Sequence, residues 1–273
     1  MITSDHHNLI LMGILNVTPD SFFDGGSYFD DASISAQIDK LIGSGADLID
    51  LGAESTRPGS FPVSEEEEIR RILPTLKAIR ERSDIPVSLD TRKAIVAKQA
   101  ACYGINMIND ISALRFDPEM VSVLRDDSRL DLVIVHCQGE PATMQRDPHY
   151  LDVIHEIREF FMERISFCEM NGISHKRIII DPGIGFGKNL HHNLLIISHL
   201  DQFKDLGVRL MLGASRKRFI HDLFPTPVGD RLPGTLATAI FALRSGVDYL
   251  RVHDVAEHRQ FLTIYNAIEQ MER

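Results

Sequence analysis

The sequence predicts one (β/α)8 barrel, a TIM barrel, as a single domain over residues 1–273, opening on a short N-terminal extension, 1–8. Three observations predict it. Short apolar runs recur eight times, stretches of helical periodicity lie between them, and no Gly-, Ser- or Pro-rich linker divides the chain. Near-continuous apolar runs mark strands buried on both faces, as in parallel sheets. Eight alternations, with a helix after the last strand, favour a closed barrel over a doubly wound open sheet. A chain of 273 residues has the usual length for such a barrel and buries a large core without disulfides or a structural metal.

The strand-like runs, in order, are LILMGILN (9–16), DLIDLGAE (47–54), IPVSLDT (85–91), INMIND (105–110), LDLVIVHC (130–137), RIIIDPG (177–183), VRLMLGAS (208–215) and DYLRVHD (248–254). Between them, Ile34, Ile38, Leu41 and Ile42 share one helical face, as do Val153, Ile157, Phe160, Phe161 and Ile165, and again Phe261, Leu262, Tyr265 and Ile268. Such stripes let a helix cover a sheet. SEEEEIR (64–70) sets acids in a first helical turn behind a Ser cap, where the helix dipole favours them, and reads as a solvated helix start.

The net charge of −10 excludes an overall basic surface for nucleic acid, while leaving room for a local basic pocket. Cys102, Cys137 and Cys168 form no C-x-x-C pair, and so sparse a set fits a reducing cytoplasm. The first residues lack the basic start and apolar core of a signal peptide, and no run of 18 apolar residues predicts a membrane span.

Nearly every run ends in polar residues: Asn16, Thr18 and Asp20; Glu54, Thr56 and Arg57; Asp90; Asn109 and Asp110; His136 and Cys137; Asp181; Ser215, Arg216 and Lys217; Arg251, His253 and Asp254. A barrel gathers these ends on the one face where catalytic groups are found. Taken singly, each could equally cap a helix or close a turn. DPGIGFGKN (181–189) looks like a phosphate loop but fits neither nucleotide pattern, because Gly183, Gly185 and Gly187 have the wrong spacing and Asn189 follows Lys188 where Ser or Thr is required. The glycines read as a tight turn with positive φ. The informative residue is Asp181, a carboxylate directly after three isoleucines, which must be paired or meant for a ligand. The pairs His6–His7 and His191–His192 read as solvent-exposed, and His136 as a hydrogen-bonded core histidine.

MGILNVTPDSFFDGG (12–26), ESTRPG (54–59), SLDTRK (88–93), NDISAL (109–114), DPGIGFGK (181–188), SRKRF (215–219) and RVHDV (251–255) together resemble the dihydropteroate synthase family, in order and over roughly residues 9 to 270. The resemblance implies condensation of 6-hydroxymethyl-7,8-dihydropterin pyrophosphate with p-aminobenzoate, a magnesium-dependent folate-biosynthetic step and sulfonamide target, in a homodimeric barrel. It also assigns residues. Asp181 would accept two donors of the pterin edge, Asn109 would meet its mixed remainder, Lys217 its carbonyl side, and Arg251 would stack on its plane. Arg57, Arg251 and His253, helped by the backbone near Thr56, would bind pyrophosphate, with Asn16 as ligand to Mg2+. Asp90 would stabilise a pterin cation in a dissociative reaction, while Phe186, Lys217 and Arg218 would wall the aminobenzoate slot. Residues 17–31 and 55–64 read as long, mobile connections that close over the substrates, with Asp24 a candidate for the closed site.

Some positions depart from the family pattern. Phe23 stands where Ser is common, Cys137 and Glu140 where Met and Thr are common, and Arg218 and His221 where Ser and Gly often occur. They bear on the pterin cover and on sulfonamide affinity, and Cys137 reads as a small hydrophobe beside the pocket. A pterin-binding methyltransferase barrel acting on methyltetrahydrofolate is the alternative, but it would not need ESTRPG or SRKR. A silent subunit should have lost Asn16, Arg57, Asp90 or Lys217, and all four are present.

Overall fold

The computed structural model describes residues 9–18, 31–55, 60–139 and 143–271. Eight parallel strands close into a barrel in sequence order: β1 (Ile10–Asn16), β2 (Leu48–Gly52), β3 (Val87–Asp90), β4 (Met107–Asp110), β5 (Asp131–Val135), β6 (Ile178–Asp181), β7 (Arg209–Leu212) and β8 (Tyr249–Val252), with β8 pairing back onto β1. The helices are α1 (Asp31–Gly43), α2 (Glu65–Arg80), α3 (Ala94–Ala101), α4 (Met120–Asp126), α5 (Val153–Met170), α6 (Leu190–Ser198), α7 (Asp201–Lys204), α8 (Arg218–Leu223), α9 (Leu232–Arg244) and α10 (Val255–Glu269). Every predicted strand is present; β1 and β4 end where their runs end, and the other six stop short, so that those runs continue into the following loop. The last helix begins at Val255, ahead of the stripe that announces it. Among the described residues, no helix is long and apolar enough to cross a membrane.

Alternation along the strands builds two cores. Outward side chains such as Leu11, Leu51, Leu89 and Ile180 pack under the helices with Ile38, Leu76, Ile157 and Phe161. Inward side chains form a separate plug, to which every strand but β3 contributes: Met12, Leu48, Met107, Val133, Ile179, Met211 and Tyr249. Burying each such side chain is worth roughly 1.5–3 kcal/mol. Because successive side chains alternate across a strand, the residue two positions further on faces the same way. Leu48 is therefore followed by Asp50, Ser88 by Asp90, Met107 by Asn109, Ile179 by Asp181, and Tyr249 by Arg251. Period two alone sets a polar layer on top of an apolar plug.

The acidic run at the start of α2 is only partly solvated. Ser64 caps the helix by accepting from the Glu67 N–H at 3.3 Å, as its sequence signature predicts. Glu68, however, is buried, with its carboxylate 2.6 Å from Lys93 Nζ. The same ammonium meets Glu54 at 2.5 Å and the Val63 carbonyl at 2.6 Å, so this cluster ties α2 to the ends of β2 and β3. The fourth acid of the run turns inward because a buried cation needs a partner there.

Candidate active site

The C-terminal mouth collects Asn16, Asp90, Asn109, Asp181, Lys217, Arg251 and His253. Asp24, Thr56, Arg57, Phe23, Glu140 and the His6–His7 pair lie outside the described residues.

Arg251 is central. Its Nε donates to Asp50 at 2.6 Å and its Nη2 to Asp90 at 2.9 Å. Burial pushes the Asp90 carboxyl well above its ordinary range; Arg251 opposes the shift, and Asp50, Glu68 and Glu54 add to it. Asp181 is buried, and the Gly183 N–H donates to its Oδ1 at 2.8 Å. Its Oδ2 has no partner among the described residues. Burial raises its pKa, against the pull of that N–H and of Lys217, Arg251 and Lys188. Gly213, the residue after β7, leaves space in front of this carboxylate: a Cβ there would lie 3.2 Å from Asp181 Oδ2. Asn109 is buried between the two carboxylate strands, with its side-chain amide uncommitted among the described residues.

Lys217 is delivered by a strained turn. Arg216 holds φ = 56°, unusual for a side-chain-bearing residue and worth about 1–3 kcal/mol of strain. Its Nε donates to Asp254 at 2.9 Å, its N–H to Thr235 Oγ1 at 3.0 Å, and its carbonyl accepts from Arg231 at 3.0 Å, which together hold the turn. The Lys217 ammonium then lies 3.9 Å above the Phe186 ring. Burial, together with Arg251, brings its pKa down to about 8. Arg218, one residue on, opens α8 with 86% of its side chain exposed and pairs with Asp222 at 3.3 Å. His221 lies on the exposed side of the same helix, against Thr226.

His253 is held by Ser215, whose Oγ accepts the His253 backbone N–H at 3.2 Å and lies 2.9 Å from Nδ1. Burial and the neighbouring Arg251 and Arg216 drive its pKa down to about 3, so the ring is neutral. With Ser215 donating to Nδ1, the ring proton is assigned to Nε2, which makes His253 a neutral donor.

The DPGIGFGKN turn is not a phosphate cradle. Lys188 is buried, its Nζ 2.9 Å from His136 Nδ1, 3.0 Å from the Phe186 carbonyl and 3.3 Å from the His136 carbonyl. His136 is thus the hydrogen-bonded core histidine that the sequence suggests. Desolvation brings Lys188 down to about 7. The glycines are needed because the backbones nearly touch: a Cβ at Gly183 would sit 2.0 Å from the His136 carbonyl oxygen, and one at Gly187 2.5 Å from that of Gln138. His191 is exposed, but His192 is half-buried and caps α6 reciprocally with Asn189, a correction to the reading of both as solvated. Cys137 is buried, its sulfur 3.7 Å from that of Met144.

Two polar strand-end residues prove structural. Asp110 accepts from Ser112 N–H at 2.7 Å, its hydroxyl at 2.6 Å and Leu114 N–H at 2.8 Å, holding a turn in which Ala113 and Leu114 have positive φ. Glu54 is consumed by Lys93, Arg92 and the Val63 N–H. The sequence reading missed Asp50. An acid at the centre of LIDLG, in phase with the inward-facing Leu48, was the available signal.

Comparison with known proteins converges on one family. A family model described as pterin binding enzyme matches residues 12–253. The Escherichia coli (strain K12) dihydropteroate synthase is 40% identical over 257 residues, covering 94% of this chain and 90% of the relative. The Yersinia pestis dihydropteroate synthase, solved with a sulfonamide drug, superposes with a TM-score of 0.91 at 38% identity, covering 98% of this chain and 97% of the other. The Xanthomonas albilineans dihydropteroate synthase in complex with 7,8-dihydropteroate gives 0.86 at 38% identity, with 96% and 94% covered. With fold, strand-end chemistry and full-length similarity in agreement, the chain belongs to the pterin-binding enzyme family and, within it, to the dihydropteroate synthases.

Proposed function

We propose that this mouth is where the enzyme joins 6-hydroxymethyl-7,8-dihydropterin pyrophosphate to p-aminobenzoate, giving 7,8-dihydropteroate and pyrophosphate. The observation that carries the site assignment is the layer of polar groups above the apolar plug: Asp181 Oδ2 and the Asn109 amide have no hydrogen-bond partner among the described residues, and the Lys217 ammonium lies over the Phe186 ring. A pterin edge presents donors for the carboxylate and a carbonyl for the ammonium. Groups this buried reject a ligand that leaves them unpaired.

In this reading the C–O bond to pyrophosphate breaks first. In its ionised form, paired with Arg251, Asp90 stabilises the positive charge that develops on the pterin. The amine of p-aminobenzoate attacks the exocyclic carbon and loses a proton. Phe186 and Lys217 guide that second substrate, which needs orientation and no activated protein nucleophile. Arg57, the backbone near Thr56, Arg251 and the Nε2–H of His253 receive the departing anion. Asp24, which lies between β1 and α1 in sequence, contributes to the closed site.

Magnesium is part of the proposal. Among the described residues, no cluster of three or more His, Cys, Asp or Glu side chains could hold a metal. Asn16 offers one amide oxygen at the rim, with no hydrogen-bond partner among the described residues. That donor suits a hard cation completed by water and substrate phosphates. Bound there, the ion would neutralise charge on the leaving pyrophosphate.

The assay is direct: purified protein, both substrates and magnesium, with dihydropteroate followed as product. No product from folded protein across pH and metal would overturn the assignment. Chelation should abolish turnover and added Mg2+ should restore it. Arg57→Ala should lose more affinity for the pyrophosphate-bearing substrate than for the bare pterin, and equal losses would remove its anion role.

A homodimer in the cytoplasm completes the reading. Leu194 of α6, Leu223 of α8, the following Phe224 and Phe241 of α9 are all exposed around an apolar groove of about 510 Å3. Phe241→Glu should shift the mass measured by light scattering from dimer to monomer; a wild-type monomer would refute this. The three free thiols suit a reducing compartment.

A further inference from the structure

We propose that Asp50 is the positioning residue for Arg251: by accepting the Nε–H from inside the barrel, it fixes the plane in which the guanidinium meets the substrate. The inference rests on the reading that Arg251 contacts the pterin and its pyrophosphate.

Asp50 is fully buried, one layer above the apolar plug, and its Oδ1 has no hydrogen-bond partner among the described residues. The residue opposite it on β3 is Ser88, whose hydroxyl is also buried without a hydrogen-bond partner among the described residues. A carboxylate in such a place loses its hydration and regains only part of it from one ion pair.

Its one side-chain hydrogen bond among the described residues is directional. Asp50 Oδ2 takes the Nε–H at 2.6 Å, while Asp90 Oδ2 takes Nη2 at 2.9 Å. A guanidinium is rigid and planar, so two fixed points on it determine its orientation, whereas one leaves it free to swing. Nη1 has no acceptor among the described residues and remains for the ligand. Asp90 cannot hold Arg251 alone during turnover, because the proposed reaction commits it to the pterin cation. Asp50 lies beneath, out of the substrate's reach, and keeps its hold while Asp90 changes partner. A residue that orients a binding group without touching the ligand acts mainly on the geometry that the ligand meets.

The test uses the full-length enzyme with Asp50→Leu and Asp50→Asn. Asp50→Leu removes the acceptor and should raise the KM for dihydropterin pyrophosphate about tenfold or more and leave the KM for p-aminobenzoate within about threefold. Asp50→Asn keeps an acceptor oxygen and should recover most of the loss. Wild-type kinetics in Asp50→Leu, a parallel rise of both KM values with a fall in Tm, or an Asn variant as impaired as the Leu variant would each overturn the inference. Arg251→Met separates the two layers of the argument. An unchanged pterin KM there would remove the substrate role of Arg251 and this inference with it. A loss there, beside wild-type Asp50→Leu, would remove this inference alone.

Discussion

At the N-terminal end of the barrel, charges close on one another. Arg209, the first residue of β7, donates to Asp131 at 2.9 Å, the Tyr249 hydroxyl at 2.9 Å and the Lys176 carbonyl at 3.0 Å. Lys204 meets Asp248 at 2.7 Å, and that carboxylate also takes the Leu210 N–H at 2.7 Å. Asp47 accepts from Leu11 N–H and from Arg259, both at 2.8 Å. At the C-terminal end the same residue types stay partly open among the described residues: Asp181 has one oxygen and Asn109 its amide without a hydrogen-bond partner, and Lys217 has only the Phe186 ring beneath its ammonium. The difference teaches what each end is for. A buried or half-buried charge costs free energy unless it is paired, so closure is the stabilising choice and openness is kept where a ligand will complete the set.

That contrast can be broken at either end. The largest effect should come from Asp181→Ala, which removes the acceptor of the pterin edge: kcat/KM should fall about a thousandfold with Tm held or raised. Activity loss that merely tracks a falling Tm would make Asp181 structural. Arg209→Met should do the reverse, lowering unfolding free energy by about 2 kcal/mol, discounted for its partial exposure, with kcat/KM unchanged in urea-free buffer. A catalytic defect in that variant would erase the distinction between the two ends.

Titration sharpens the comparison further. Lys217 is protonated below its pKa of about 8 and discharges as pH rises through it, so its contribution is present at neutral pH and lost on the alkaline side. In the pH profile of kcat/KM, an alkaline limb near 8 should move upward in Lys217→Arg; a limb that stays put belongs to another group. The smallest effect is expected from Arg218→Ala. Its side chain is mostly in solvent, so the KM for p-aminobenzoate should change by no more than about threefold. A larger change would show that this arginine turns into the slot when the substrate arrives.

Much of the site was legible because a parallel barrel puts every strand end on one face, so Asp90, Asn109, Asp181 and Arg251 could be nominated from position and residue type alone. The same rule could not separate them from Asp110 and Glu54, which look alike in sequence. Asp110 spends its oxygens on its own turn, and Glu54 on Lys93, a residue 39 positions away. Asp50 escaped notice because a single acid inside an apolar run has no local partner to announce it; Arg251, its partner, is 201 positions distant.

The sequence by itself determined the eight strands, their closure in order, the two-residue phase that lifts polar side chains above the plug, and the family to which the chain belongs. Local periodicity and short motifs carry all of these, and neither depends on which distant residues meet. Only the tertiary structure decided which polar groups are spent and which are free: Lys188 on His136, Glu68 on Lys93, Asp50 on Arg251, with Asp181 and Lys217 left open. The physical reason is that a hydrogen bond depends on a separation of a few ångströms in space, and contacts across a closed barrel bear no fixed relation to distance along the chain.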